Sequence, residues 1–123
     1  MKSNYKYYNR NPQNVTTEDC VCRAISTATG LQYNAVNHLL GITANISKCP
    51  KLSLSSYRNL LERILCYDCY DCEGETVGDI AEQYPYCNVI IRIEGHLTCS
   101  IKGCVIDIWD CTENEADCYW III

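Results

Sequence analysis

The chain has 123 residues, of which 48% are hydrophobic, and its formal net charge at pH 7 is −5. A chain of this size predicts one globular domain, residues 1–123, rather than a disordered segment. Because duplex nucleic acid requires a basic surface, the acidic balance argues against nucleic-acid partners and, more weakly, against an anionic membrane. The polar N-terminus and short apolar runs predict neither a signal peptide nor a transmembrane span.

Four helices are predicted in the first two thirds of the chain. The first begins near Cys20 and ends at Gly30, with N-cap oxygens offered just upstream by Thr16, Thr17 and Asp19. Its apolar stripe is formed by Val21, Ala24, Ile25 and Ala28. The second spans Tyr33–Leu40 and ends at Gly41, so residues 41–52 are expected to form a loop. Ser53 caps a third helix that runs to about Leu65, and the T-x-x-D pattern Thr76–Asp79 opens a fourth that Pro85 ends.

Strand-length runs of β-branched and aromatic residues follow at Asn88–Ile93, Leu97–Ile101, Cys104–Trp109 and Tyr119–Ile123. Lys102-Gly103 predicts a tight hairpin between the second and third of them. Helices followed by strands are typical of an α+β fold with an antiparallel sheet.

One set of residues could carry out nucleophilic chemistry. A cysteine at a helix N-terminus faces unpaired N–H groups and the positive end of the helix dipole, which favour the thiolate of Cys20. His96 opens a predicted strand, and counting from the hairpin brings Asp107 within one or two rungs of it. An imidazole can take the thiol proton while a carboxylate orients the ring. The structural alternative is a buried Cys20 and a core His96, and a register shift would make Asp110 the acid.

The oxyanion in such a site would bind the Cys20 backbone N–H and a side-chain amide just upstream, from Gln13 or Asn14. Trp109 is expected at the core or the wall of the cleft.

The chain has eleven cysteines, an odd number, and no secretory signal, so we interpret most of them as reduced and buried in a cytoplasmic protein. The triplet Cys66, Cys69 and Cys72 has a spacing that can bind zinc or an iron–sulfur cluster. The alternative is a helix end and loop in which these side chains pack, which is the interpretation that we prefer. No cofactor is predicted.

Several motifs along the chain form a further pattern: Tyr7–Pro12, Asp19–Gly30, Thr76–Pro85, Gly95–Thr98, Asp107–Cys111 and Tyr119-Trp120. Taken together, they resemble a family of small bacteriophage-encoded proteins with a papain-like cysteine-peptidase fold. The resemblance spans nearly the whole chain and is weakest at residues 41–72. It departs from that family at Cys22, where an apolar residue is usual, and in lacking a clear papain-style glutamine before Cys20.

The resemblance implies a papain-like domain with helices packed on the sheet, in which Cys20 is the nucleophile, His96 the base and Asp107 the orienting acid. It implies thiol-dependent hydrolysis or acyl transfer on a peptide, isopeptide or related amide, in the cytoplasm of an infected bacterium. The alternative is a catalytically silent member that binds a host defence factor or sequesters a small ligand in its cleft. Fold resemblance by itself does not establish activity.

Overall fold

The computed structural model describes residues 4–122, which form a mixed α+β fold. The helices are α1 (Cys20–Thr29), α2 (Tyr33–Ser47), α3 (Leu54–Asn59), which continues into a π-helical turn (Leu60–Ile64), and α4 (Val77–Gln83). The strands are β1 (Tyr5–Tyr7), β2 (Cys69–Asp71), β3 (Asn88–Ile93), β4 (His96–Ile101), β5 (Cys104–Asp107) and β6 (Cys118–Ile122). Within the described residues, no helix has the length and apolar character needed to cross a bilayer.

The strands form one six-stranded sheet in the order β1-β5-β4-β3-β6-β2. Its neighbours are antiparallel, as predicted, except that β1 pairs with β5 in parallel. The predicted strand Asn88–Ile93 is confirmed in both bounds. The strand expected at Cys104–Trp109 ends at Asp107, and Ile123 of the last predicted strand lies outside the described residues.

The sheet separates two hydrophobic clusters because successive side chains of a strand point to opposite faces. On one face α1, α2 and α3 pack against Ile90, Leu97 and Trp120, all of which are almost completely buried. On the other face α4 packs against Val89 and Ile91. This two-sided burial explains why β3 contains a nearly continuous apolar run.

Helix α1 ends as predicted at Gly30, whose φ of 79° is a left-handed conformation that glycine adopts without a Cβ clash. The predicted end of α2 at Gly41 is wrong. The helix continues to Ser47, and the expected loop 41–52 is therefore helical over more than half its length. Leu40 and Ala44 continue the buried stripe beyond the glycine, so packing outweighs the roughly 1 kcal/mol that glycine costs in a helix interior.

Two hairpins fix the positions of the residues at one end of the sheet. Ile93 pairs with His96 across a two-residue turn that contains Gly95, whose φ is 72°. The hairpin at Lys102-Gly103 pairs Ile101 with Cys104, which is the predicted register. As a result, His96 begins β4 and Asp107 ends the adjacent β5.

The two edge strands were not predicted from the sequence. Each is only three residues long, which is too short for a pattern of alternating residues to indicate a strand. Strand β1 gains its place from a partner about 100 residues away, which local patterns do not reveal. Strand β2 lies within the cysteine triplet and pairs with β6.

The capping box of α4 predicts a measurable loss of stability. Thr76 accepts a hydrogen bond from the backbone N–H of Asp79, and the Asp79 carboxylate accepts one from the backbone N–H of Thr76. We expect Thr76→Ala to lower the free energy of unfolding by about 1 kcal/mol, measured by urea denaturation. Glu82→Ala, at an exposed position of the same helix, is the matched control and should change it far less. Equal effects of the two substitutions would contradict this role for the cap.

Candidate functional site

Cys20 is the first residue of α1 and lines a cavity of about 460 Å³. His96 and Trp109 line the same cavity from the sheet side. The Cys20 thiol lies beside the His96 ring and the Leu97 backbone, and both lower its pKa. The structure therefore brings together the cysteine and the histidine that the sequence predicted, at the edge of one cleft.

Asp107 is the carboxylate that contacts His96. Its Oδ2 lies 2.7 Å from the ring Nε2, and its side chain is only 2% exposed. Asp110, the alternative acid, is exposed and accepts hydrogen bonds from the backbone N–H and hydroxyl of Thr112. The predicted pairing of β4 with β5 holds, so no register shift brings Asp110 into the position of Asp107.

A buried cation links Asp107 to the start of α1. Arg23 donates from Nη1 to Asp107 Oδ1 over 2.9 Å and from Nε to Asp19 Oδ1 over 2.6 Å. Asp19 Oδ2 accepts two further hydrogen bonds, from Asn11 Nδ2 at 3.0 Å and from the Tyr33 hydroxyl at 2.8 Å. We call Asp19, Arg23, Asp107 and His96 the ion network.

The surroundings favour the charged forms of both Cys20 and His96. Burial opposes ionisation of the Cys20 thiol, but the hydrogen bonds to His96 and the Leu97 backbone outweigh it and lower the pKa. Burial also opposes protonation of His96, yet its hydrogen bonds with Asp107, Cys111 and Cys20 raise its pKa to about 11. The pKa of Asp107 is lowered against the effect of burial, chiefly by its bond to His96. These shifts favour the thiolate form of Cys20 and the imidazolium form of His96 relative to the free side chains.

The cavity has both aromatic and charged walls. The Trp109 ring, 42% exposed, packs on the His96 ring with centroids 5.1 Å apart, as expected for a cleft-wall aromatic. Leu52 and Tyr57 lie on the helical side, and Arg92 donates to the Tyr57 hydroxyl over 3.1 Å. These walls can accommodate an extended chain with an apolar group beside the sulfur.

Gln13 and Asn14 are not brought to the cavity. Both are exposed, and neither is among the residues that line it. They belong to a turn in which the Asn11 carbonyl and side chain accept their backbone N–H groups. The upstream amide that reaches the site belongs instead to Asn11, which bonds to Asp19 rather than facing the sulfur. Thr17, Trp109 and Arg92 are side-chain donors that do line the cavity.

The cysteine triplet does not form a ligand set. Cys66 is exposed, whereas Cys69 packs against the cluster on one face of the sheet and Cys72 against the cluster on the other. Cys69 begins β2 and Cys72 directly follows its last residue, an odd number of residues away, so an extended chain directs the two side chains to opposite faces. All eleven cysteines are free thiols, but the prediction that most of them are buried is wrong, since only Cys22, Cys99, Cys111 and Cys118 are.

Within residues 4–122, one group of three residues brings ligand-type atoms within 4.8 Å of one another: His96, Asp107 and Cys111. Asp107 already accepts hydrogen bonds from the Arg23 cation and from His96. A second cation here would be repelled by Arg23 and would displace those donors. We therefore interpret the group as a hydrogen-bonded relay, not as a metal site.

Sequence reasoning missed Asn11, Arg23, Tyr33 and Cys111. A signal for Arg23 was present, because Asp19 and Arg23 are four residues apart, the spacing at which opposite charges meet on a helix. Asp19 was considered only as an N-cap. It occupies that position, but its side chain makes no capping bond and serves the ion network instead.

Comparison with protein-family models gives no match, and neither the curated proteins nor the solved structures include a significant match.

The raised pKa of His96 can be tested by following the titration of its ring. In a His38→Gln variant the remaining histidine signals belong to His96, because the chain has two histidines. Since burial alone would lower the pKa, and the hydrogen bond with Asp107 reverses this effect, we expect the ring to remain protonated well above 6.5 in an NMR titration. Asp107→Asn should lower the midpoint by about one pH unit or more. A midpoint near 6.5 that is unchanged by Asp107→Asn would contradict this assignment.

Proposed function

We propose that this protein is a papain-like thiol hydrolase or acyl transferase that acts on a peptide, isopeptide or related amide. The observation that carries the proposal is the contact series from the Cys20 thiol through the His96 ring to the Asp107 carboxylate, at the wall of an open cavity. Geometry of this kind, rather than sequence position, defines a nucleophile, base and orienting acid.

Each residue has a definite role in the proposed reaction. The Cys20 thiolate attacks the carbonyl carbon, and a tetrahedral oxyanion forms. His96 donates its proton to the leaving amine, which departs and leaves a thioester on Cys20. In the second half, His96 takes a proton from water or from an acceptor amine, which attacks the thioester and releases Cys20. Asp107 holds the ring in position throughout and stabilises its protonated form.

The proposed oxyanion site uses the N-terminus of α1. Cys20 is the first residue of the helix, and the first N–H groups of a helix have no partner within it. The N–H of Cys20 can therefore donate to an oxyanion formed beside its own sulfur, assisted by the helix dipole. Thr17 and Trp109 are candidates for the second donor, because they line the same cavity.

The resemblance to the phage-encoded family supports the same proposal and adds a compartment, the cytoplasm of an infected bacterium. The alternative, a silent member that binds a host protein or a small ligand in the cleft, has the half-exposed Trp109 and Leu52 at the cavity in its favour. The two proposals differ in whether the sulfur is activated.

Thiol reactivity provides the first test. With limiting iodoacetamide at pH 6, we expect Cys20 to be alkylated at least about tenfold faster than Cys66. The lower pKa of Cys20 gives more thiolate, although it makes that thiolate a somewhat weaker nucleophile. Cys66 is the matched control because it is the exposed thiol of the chain. Peptide mass spectrometry measures both rates, and His96→Ala should remove the advantage of Cys20.

Acyl transfer provides the second test. An activated ester, p-nitrophenyl acetate, should leave an acetyl group on Cys20 in the wild type and none at that position in Cys20→Ser, detected by intact mass and peptide mapping. Labelling of Cys20 no faster than Cys66, together with no acetyl adduct, would contradict the enzyme proposal and favour the binding protein.

A further inference from the structure

A buried arginine connects the two halves of the candidate site. Arg23 is 6% exposed and lies one helical turn after Cys20, on α1. Its Nε and Nη1 each donate to a different carboxylate, Asp19 and Asp107, over 2.6 and 2.9 Å. A single side chain thus joins the segment before the cysteine to the strand that orients the histidine.

The two oxygens of Asp107 have different cationic partners. Oδ1 accepts from Arg23 and from the backbone N–H of Ile108, whereas Oδ2 accepts from His96. The negative charge that stabilises a protonated His96 is therefore shared with Arg23. Asp19 holds the arginine from its other side and is itself held by Asn11 and Tyr33.

We propose that Arg23 is a positioning residue, which fixes Asp107 beside His96 and limits how strongly that carboxylate retains the imidazole proton. The inference builds on the proposed function, since the proton that His96 must release to the leaving group is the one that Asp107 retains. An unshared, buried aspartate would stabilise the imidazolium further and make it a weaker acid. Arg23 donates hydrogen bonds to Asp19 and Asp107 and none to the Cys20 sulfur, on which only its charge acts.

The charges around Cys20 and His96 determine whether loss of Arg23 raises or lowers their titration midpoints. Besides Arg23 and Asp107, the titratable or charged groups near these two residues include Tyr5, Glu18, Asp19, Tyr57, Arg92 and Cys111. Without the Arg23 charge, the negative charge of Asp107 is compensated by the His96 cation alone, so the titration midpoint of the His96 ring rises. It also removes one of the cations that lower the pKa of Cys20, so the ionisation of the thiol moves to higher pH as well.

The test compares Arg23→Gln with Arg23→Lys, which retains the charge but cannot reach both carboxylates in the same way. One measurement is the pH dependence of Cys20 alkylation by iodoacetamide. The other is the NMR titration of His96 in a Cys20→Ser, His38→Gln background, where no thiolate acts on the ring. We expect Arg23→Gln to raise both midpoints by about one pH unit. Arg23→Lys should stay near the parent protein in both.

A purely structural arginine would give a different result. Midpoints unchanged in a folded Arg23→Gln protein, or equal shifts in the Gln and Lys variants, would overturn the inference. If Arg23→Gln does not fold, Asp19→Asn/Arg23→Gln removes one charge of each sign, and its His96 midpoint must still rise. An unchanged midpoint in that double variant would also overturn the inference. Failure of the proposed function can be distinguished from failure of this inference. In the first case Cys20 would be unreactive, but the titration of His96 could still be measured.

Discussion

The carboxylate of Asp107 is the group on which the candidate site depends. It is almost completely buried, yet it carries a charge, which is costly unless the charge is paired and hydrogen-bonded. Here Arg23, His96 and the Ile108 backbone all donate to it. Loss of any of these donors leaves charge uncompensated in the protein interior, so the same contacts also hold α1 against the end of the sheet.

The environment, rather than the residue type, distinguishes Cys20 from other cysteines of the chain. Burial raises the pKa of Cys22 and Cys72 to about 11 and that of Cys69 to about 12. Cys20 is also partly buried, but His96, the Leu97 backbone and Arg23 reverse the effect. A chain that is rich in thiols can therefore direct chemistry to one of them, because reactivity follows the thiolate fraction rather than the number of sulfurs.

Local patterns in the sequence were enough to predict α1, the cap of α4, the Lys102-Gly103 turn, and the positions of His96 and Asp107 on adjacent strands. These features depend on residues close together in the chain, such as Gly30 and Lys102-Gly103. The features that were missed depend on distant partners. Helix α2 passes through Gly41 because Leu40 and Ala44 have a core to fill, and β1 exists because β5 presents an open edge. The role of Arg23 is also non-local, since its second carboxylate lies 84 residues further along the chain.

The parallel pairing of β1 with β5 has a consequence for the order of events during synthesis. Residues 5–7 can pair only with residues 105–107, and the Asp107 carbonyl accepts hydrogen bonds from the Tyr5 hydroxyl and the Tyr8 backbone. A growing chain exposes Cys20 long before β4 and β5 emerge from the ribosome. The contacts with His96 and Leu97 that lower the pKa of Cys20 therefore form only after most of the chain has been synthesised.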